Sequence, residues 1–215
     1  MDGFAAVAGE ENWWRLVSLG KIGAYDPGDV LIRQGETGTE VFLLLAGRVK
    51  VSLVDEFGNS ILLAVRGPGQ VLGDITLIDG ERRSATVSAI DVCRVSVVPQ
   101  GPFTARLCEL GLKDALVRFA VRRLRESEEL RLELATLKAG PRIVRGLLRL
   151  GVQAVPGDRT VDIGLSQAEF GEALGLSRAS VADKFAELRA AGLVSTGRER
   201  IVITDLPGLR ALTVE

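Results

Sequence analysis

The sequence predicts an α+β chain: an N-terminal antiparallel β-roll of jelly-roll type, a long helix behind it, and a C-terminal winged helix-turn-helix domain. Three observations predict it. Residues 25–98 hold short β-prone runs separated by glycine-rich turns. Residues 112–137 run without a Gly or Pro. Residues 166–194 read as two short helices around a glycine turn, ending at Gly192. At 215 residues the chain is long for one domain and comfortable for two. The expected divisions are 1–110 for the β-roll, 111–139 for the long helix and a hinge, and 140–215 for the terminal domain.

In chain order, residues 1–20 place Trp13, Trp14, Leu16, Val17 and Leu19 in a short amphipathic helix, with both tryptophans expected as packing anchors. From Tyr25 onward the punctuation is Asp26-Pro27-Gly28-Asp29, Gln34–Gly38, Ala46-Gly47, Glu56–Asn59 and Gly67-Pro68-Gly69. Between these turns lie runs such as Val49–Leu53 and Ser60–Val65, and the strand pattern resumes in Ala85–Val98. This rhythm indicates an all-β sandwich or barrel.

After Pro99 the period becomes helical. Residues 102–110 form a short helix, and residues 112–137 a long one, roughly 39 Å at 1.5 Å per residue. The long helix has two apolar stripes. Leu112, Leu116 and Phe119, with Leu107 before them, face the β-roll. Val117, Ala120, Leu124, Ser127, Arg131 and Leu134 follow alternating three- and four-residue steps, the pattern of a helix–helix seam. Two buried faces on one helix call for a partner, most simply a second copy. Ala139-Gly140-Pro141 is read as a break and hinge, followed by an amphipathic helix carrying Ile143, Val144, Leu147, Leu148 and Leu150.

Ser166 and Glu169 then form an S-x-x-E capping box, and Phe170, Ala173 and Leu174 line one face of the helix it starts. Gly175 and Leu176 make the turn. Ser177 caps the next helix, whose buried side is Val181, Phe185 and Leu188 and whose outer face carries Arg178, Ala179, Asp183 and Lys184. Such a pair can present its second helix to a DNA major groove. An ordinary helical hairpin would show the same pattern. Val194–Thr204, with Gly197 between two β-prone runs, is expected as a hairpin or wing.

Composition excludes several classes. Hydrophobic content of 47 % with 26 % charged residues is that of a globular chain. The longest apolar run, Val41–Ala46, is too short for a membrane span, and no signal peptide is expected, so the cytoplasm is the default. Cys93 and Cys108 are the only cysteines and cannot build a disulfide framework or a four-cysteine metal site. The chain has no histidine, which removes the commonest general base and metal ligand. An enzyme is not expected. Net charge is −1, and the terminal domain has ten Arg/Lys against nine Asp/Glu from Gly140 onward, a weak electrostatic footprint for nucleic acid. Distribution matters more: Arg178, Lys184, Arg198 and Arg200 fall in the presumed helix and wing.

The stretch Leu72-Gly73-Asp74-Ile75-Thr76-Leu77 through Arg82-Arg83-Ser84-Ala85-Thr86-Val87 resembles the phosphate-binding cassette of a cyclic-nucleotide-binding domain. With the long helix and winged helix pair in this order, the chain resembles the CRP–FNR family of bacterial transcription regulators from about Tyr25 to Asp205. The resemblance implies a homodimer that reads a pseudo-palindromic site and responds to a small effector such as cyclic AMP. It implies that Gly73, Asp74, Arg83 and Ser84 hold phosphate and ribose, with Arg123 and Ser127 from the long helix and Val51, Leu63 and Ala64 as walls. A forked guanidinium at Arg83 and a hydroxyl at Ser84 suit a phosphate anion. Gly73 lets backbone approach closely, before a short helix opening near Asp74.

Departures from the family pattern alter the expectation. Asp74 stands where the family has a longer glutamate, Ser127 where cyclic-AMP-responsive members have threonine, and Glu128 where they have a small hydroxyl. Binding of cyclic AMP is preferred, with an empty or repurposed pocket as the alternative. On the DNA side the resemblance makes Arg178 the guanine reader, with Ser166, Ser177, Ser180 and Arg198 near phosphates. Ala179 replaces a glutamate and Asp183 an arginine, so the site read should differ from the familiar one; Asp183 either reads cytosine or pairs with Lys184. Activation would need a surface for RNA polymerase, and no motif identifies one. A cyclic-nucleotide-binding protein whose terminal domain docks another protein is the remaining alternative.

Overall fold

The computed structural model describes residues 3–57, 60–151, 160–197 and 200–213. The chain divides into two compact units, residues 1–127 and 128–215. The first opens with α1 (Gly3–Ala8) and α2 (Glu10–Val17), two short helices where one was expected. Adjacent residues on a helix sit about 100° apart, so one apolar stripe buries only one of two neighbouring tryptophans. Trp13 packs with Leu16 and Val17 at 3 % exposure, whereas Trp14 is 51 % exposed and anchors nothing.

The β-roll follows: β1 (Lys21–Tyr25), β2 (Val30–Ile32), β3 (Glu40–Ala46), β4 (Val49–Val54), β5 (Ser60–Arg66), β6 (Val71–Leu72), then α3 (Asp74–Asp79), β7 (Thr86–Ala89) and β8 (Cys93–Pro99). Two four-stranded antiparallel sheets result, in the orders β1-β8-β3-β6 and β2-β7-β4-β5. Strand β3 explains the long apolar run in the sequence. Phe42 and Leu44 point into a core shared with Ile32, Val49, Val87 and Val95. Val41 and Leu43 point the other way, onto Phe4, Leu16, Phe103 and Phe119. With both faces buried, alternation disappears and the strand is apolar throughout.

Helix α4 (Gln100–Glu109) and the start of α5 (Lys113–Thr136) close this second core with Leu107, Leu112, Leu116 and Phe119, the stripe expected from the sequence, and with Phe103 in addition. Phe4 meets Phe119 edge-on at 5.6 Å.

In the second unit α6 (Ala139–Gly151) leads to β9 (Val161–Asp162), α7 (Gln167–Ala173), α8 (Arg178–Ala190), β10 (Val194–Thr196), β11 (Ile201–Ile203) and α9 (Leu206–Ala211). Gly140 and Pro141 lie inside the first turn of α6, so the break falls at Leu137–Lys138 and the expected hinge at Gly140 is corrected. A proline is tolerated there because the first four helical N–H groups have no intrahelical acceptor to lose. The wing gains a third strand: β10, β11 and β9 form an antiparallel sheet.

Candidate functional site

A cavity of about 360 Å³ lies in the first unit, between strands β2, β4, β5 and β7, the α3 segment and one face of α5. All nine residues assigned to a ligand from the sequence line it: Val51, Leu63, Ala64, Gly73, Asp74, Arg83, Ser84, Arg123 and Ser127. Leu63 is 43 % exposed, so it forms cavity wall rather than core.

Its charges are arranged with little freedom. Arg83 is 6 % exposed, which excludes a solvated surface arginine. Its Nη1 donates to the Gly73 carbonyl at 3.3 Å and its Nη2 to the Glu40 carbonyl at 2.5 Å. Burial lowers the Arg83 pKa from its ordinary value, opposed by Glu40 and Glu36. Gly73 has φ +82, and a Cβ there would stand 2.1 Å from Arg83 Nη1; one on Gly38 would stand 2.3 Å from the guanidinium carbon. The two glycines make room for the arginine, a second reason for glycine at position 73 beside its place in the cavity lining.

Asp74, 3 % exposed, opens α3 as expected but is already engaged: Arg123 Nη1 donates to its Oδ2 at 2.6 Å. The Ser127 hydroxyl donates to the Arg123 carbonyl at 3.1 Å, which leaves its lone pairs free to accept. Arg66, absent from the sequence-based set, also lines the cavity. Burial pushes its guanidinium down to about 10, with Arg123 adding to the shift and Glu126 and Asp74 opposing it.

Helix α5 carries Ala120, Leu124 and Ser127 into the lining. The same helix exposes Val117 at 46 %, Val121 at 45 %, Leu124 at 55 % and Leu132 at 64 %. The three-and-four-residue period found Val117 and Leu124 and missed Val121 and Leu132.

In the second unit both helix starts are as expected. The Ser166 hydroxyl accepts from the Glu169 N–H at 3.2 Å, and the Ser166 backbone N–H donates to the Glu169 carboxylate at 3.0 Å, completing the capping box. Ser177 accepts from the Ser180 N–H, and the two hydroxyls are 3.0 Å apart. Gly175 takes φ +61 in the turn. Phe170 and Phe185 meet edge-on at 5.7 Å, fixing α7 against α8. Ser177, Arg178, Ala179 and Asp183 are exposed, with Ser166, Ser180 and Lys184 partly so. Lys184 pairs with Glu187 at 2.6 Å, not with Asp183, because three residues along a helix face is within reach and one is not. Arg200 pairs with Asp162 at 2.9 Å. Arg198 lies outside the described residues.

Known proteins place this combination. A cyclic nucleotide-binding domain matches residues 23–107 and a Crp-like helix-turn-helix domain residues 141–212. The chain is 30 % identical over 185 residues to the cAMP-activated global transcriptional regulator CRP of Salmonella typhimurium, covering 83 % of this chain and 87 % of that protein. The chain belongs to the CRP/FNR family of transcription regulators. A global nitrogen regulator of Synechococcus elongatus is 28 % identical, over 85 % of each chain. A CRP/FNR regulator of Thermus thermophilus superposes with a TM-score of 0.73 at 26 % identity, over 91 % of this chain and 99 % of that one. FixK2 from Bradyrhizobium japonicum shares the fold, with a TM-score of 0.75 at 22 % identity over 91 % and 98 %.

As a CRP/FNR regulator the chain carries an antiparallel effector-type domain and a DNA-binding helix-turn-helix domain. Sequence reasoning missed Arg66 because no motif contains it. It placed Asp74 and Arg123 in one site without foreseeing their bond, since 49 residues separate them.

Proposed function

We propose that this regulator works as a homodimer through the helix at 112–137, binds a cyclic nucleotide in the β-roll cavity, and reads a pseudo-palindromic DNA site with α8. It acts by binding and not by catalysis, in the cytoplasm, with residues 1–110 as sensor, 111–139 as dimerisation helix and 140–215 as DNA-binding domain. One observation carries the reading: α5 contributes Ala120, Leu124 and Ser127 to the cavity while exposing Leu124 and its apolar neighbours. A ligand on that helix therefore bears on the seam between two copies. Only a difference in affinity for two arrangements of the seam can shift their populations.

Arg83 and Ser84 would take the phosphate. Asp74 would reach the ribose by loosening its bond to Arg123. In the second unit Arg178 would read guanine, and Ser166, Ser177, Ser180 and Arg198 would set register on phosphates. Selection of bound duplexes from a random pool, with and without cyclic AMP or cyclic GMP, tests the reading. Enrichment of a two-fold symmetric site that depends on the nucleotide supports it; no enrichment under any condition overturns it. The Asp74–Arg123 bond at 2.6 Å favours a second reading, DNA binding without a nucleotide. Equal enrichment in all arms would select that one.

A further inference from the structure

Arg83 is anchored by one N–H to each of two carbonyls, with others left for a phosphate, and Arg123 is paired with Asp74. Arg66 differs. It ends β5, its side chain is 16 % exposed, and its buried Nε has no hydrogen-bond partner among the described residues. The nearest carboxylate, Glu126 Oε2, stands 3.7 Å from Nη1 on a side chain that is 52 % exposed, beyond hydrogen-bond distance. A guanidinium only donates, in a planar fork. Nε is enclosed, but Arg66 lines the cavity, so its outer N–H groups can donate to an acceptor on whatever enters.

The place of Arg66 says which part of a ligand that is. A phosphate against Arg83 and Ser84, with ribose beside Asp74, leaves the base the end of the cavity closed by α5. Arg66 belongs to that end. Its Nη1 stands 3.7 Å from Glu126 of α5, whereas the Arg83 guanidinium sits on the Gly73 and Glu40 carbonyls. Val51, Leu63, Ala64 and Leu124 supply apolar surface for the faces of a ring.

We infer that Arg66 selects the base of the effector, and that the cavity takes a cyclic nucleotide with a 6-oxopurine base, guanine before adenine. The edge of guanine presents O6 and N7, two acceptors matched to the two prongs of a guanidinium; adenine replaces O6 with an amino group that points a donor at a donor. The inference rests on the cyclic-nucleotide reading and adds the choice of base to it.

Titration calorimetry of the full-length protein with cyclic GMP, cyclic IMP and cyclic AMP tests it, on the wild type and on R66L and R66K. The expected wild-type result is tighter binding of cyclic GMP and cyclic IMP than of cyclic AMP, by about ten- to a hundredfold. Cyclic IMP lacks the 2-amino group, so its agreement with cyclic GMP isolates O6. R66L should erase the preference. R66K, a point charge without the fork, should not restore it fully, whereas a merely structural cation would. Cyclic AMP binding as tightly as cyclic GMP in the wild type overturns the inference and leaves the cyclic-nucleotide reading standing. A preference that survives in R66L overturns the role of Arg66. No heat from any of the three nucleotides overturns both.

Discussion

Arg83 is held by what its neighbours lack. Gly38 and Gly73 have no Cβ, and the guanidinium fills the space between them. Gly73→Ala would bring a methyl to 2.1 Å from Nη1 and also strain a backbone at φ +82, while Gly80→Ala, at φ +74 with nothing within 4 Å, would meet only the strain. G80A should therefore cost about 1–2 kcal/mol in urea unfolding. G73A should cost clearly more and weaken cyclic-nucleotide binding with it; equal costs would show that Arg83 moves aside freely. Arg66 makes the opposite prediction. Burial lowers its pKa to about 10. The unfolded chain then binds that proton more tightly, so charged Arg66 costs stability below that pH, and the cost fades as pH rises through it. R66L should raise stability at neutral pH, on the order of 1–3 kcal/mol, with the gain shrinking above about pH 10. Arg83 could be found in the sequence because a phosphate cassette is a local pattern. Arg66 could not, because its meaning depends on α5 arriving beside it.

Elements were legible where their signals are local. The capping box, the glycine turn and the second cap fixed α7 and α8 from four or five residues each. Ser166→Ala should cost about 1 kcal/mol of stability, read by thermal melting, since it removes the hydroxyl that accepts from the Glu169 N–H and leaves only the backbone half of the box. Arg178→Ala leaves the fold alone, being exposed at the first position of α8. It should cost about 1–3 kcal/mol on the preferred duplex and relax one base position. A uniform loss on every sequence would make Arg178 a phosphate contact. The junction after α5 was misplaced for an identifiable reason. Gly140-Pro141 looks like a breaker in isolation, but Arg142 binds the Leu137 carbonyl at 2.7 Å and the Leu174 carbonyl at 3.0 Å. It caps the end of α5 and ties it to the turn before α8. Strand β9 has two residues and so no alternation to detect.

At the scale of the whole molecule, two expectations meet on α5: the seam and the cavity. Val117, Val121, Leu124 and Leu132 stay exposed after α5 has packed Leu116 and Phe119 inward. Large apolar side chains recurring on one exposed face of a helix are a cost in water that a second copy would remove. Leu132 separates the two roles, since it is 64 % exposed and not in the cavity lining, whereas Leu124 belongs to both. Leu132→Glu should therefore break the dimer while sparing the effector. Sedimentation velocity at micromolar protein should show a monomer, and calorimetry should give cyclic-nucleotide affinity close to wild type. Affinity for a two-fold symmetric duplex should fall to that for a single half-site, because the second recognition helix is no longer delivered at the right spacing. If L132E remains dimeric and binds the full site normally, α5 is not the seam. The route from cavity to DNA must then run through another surface.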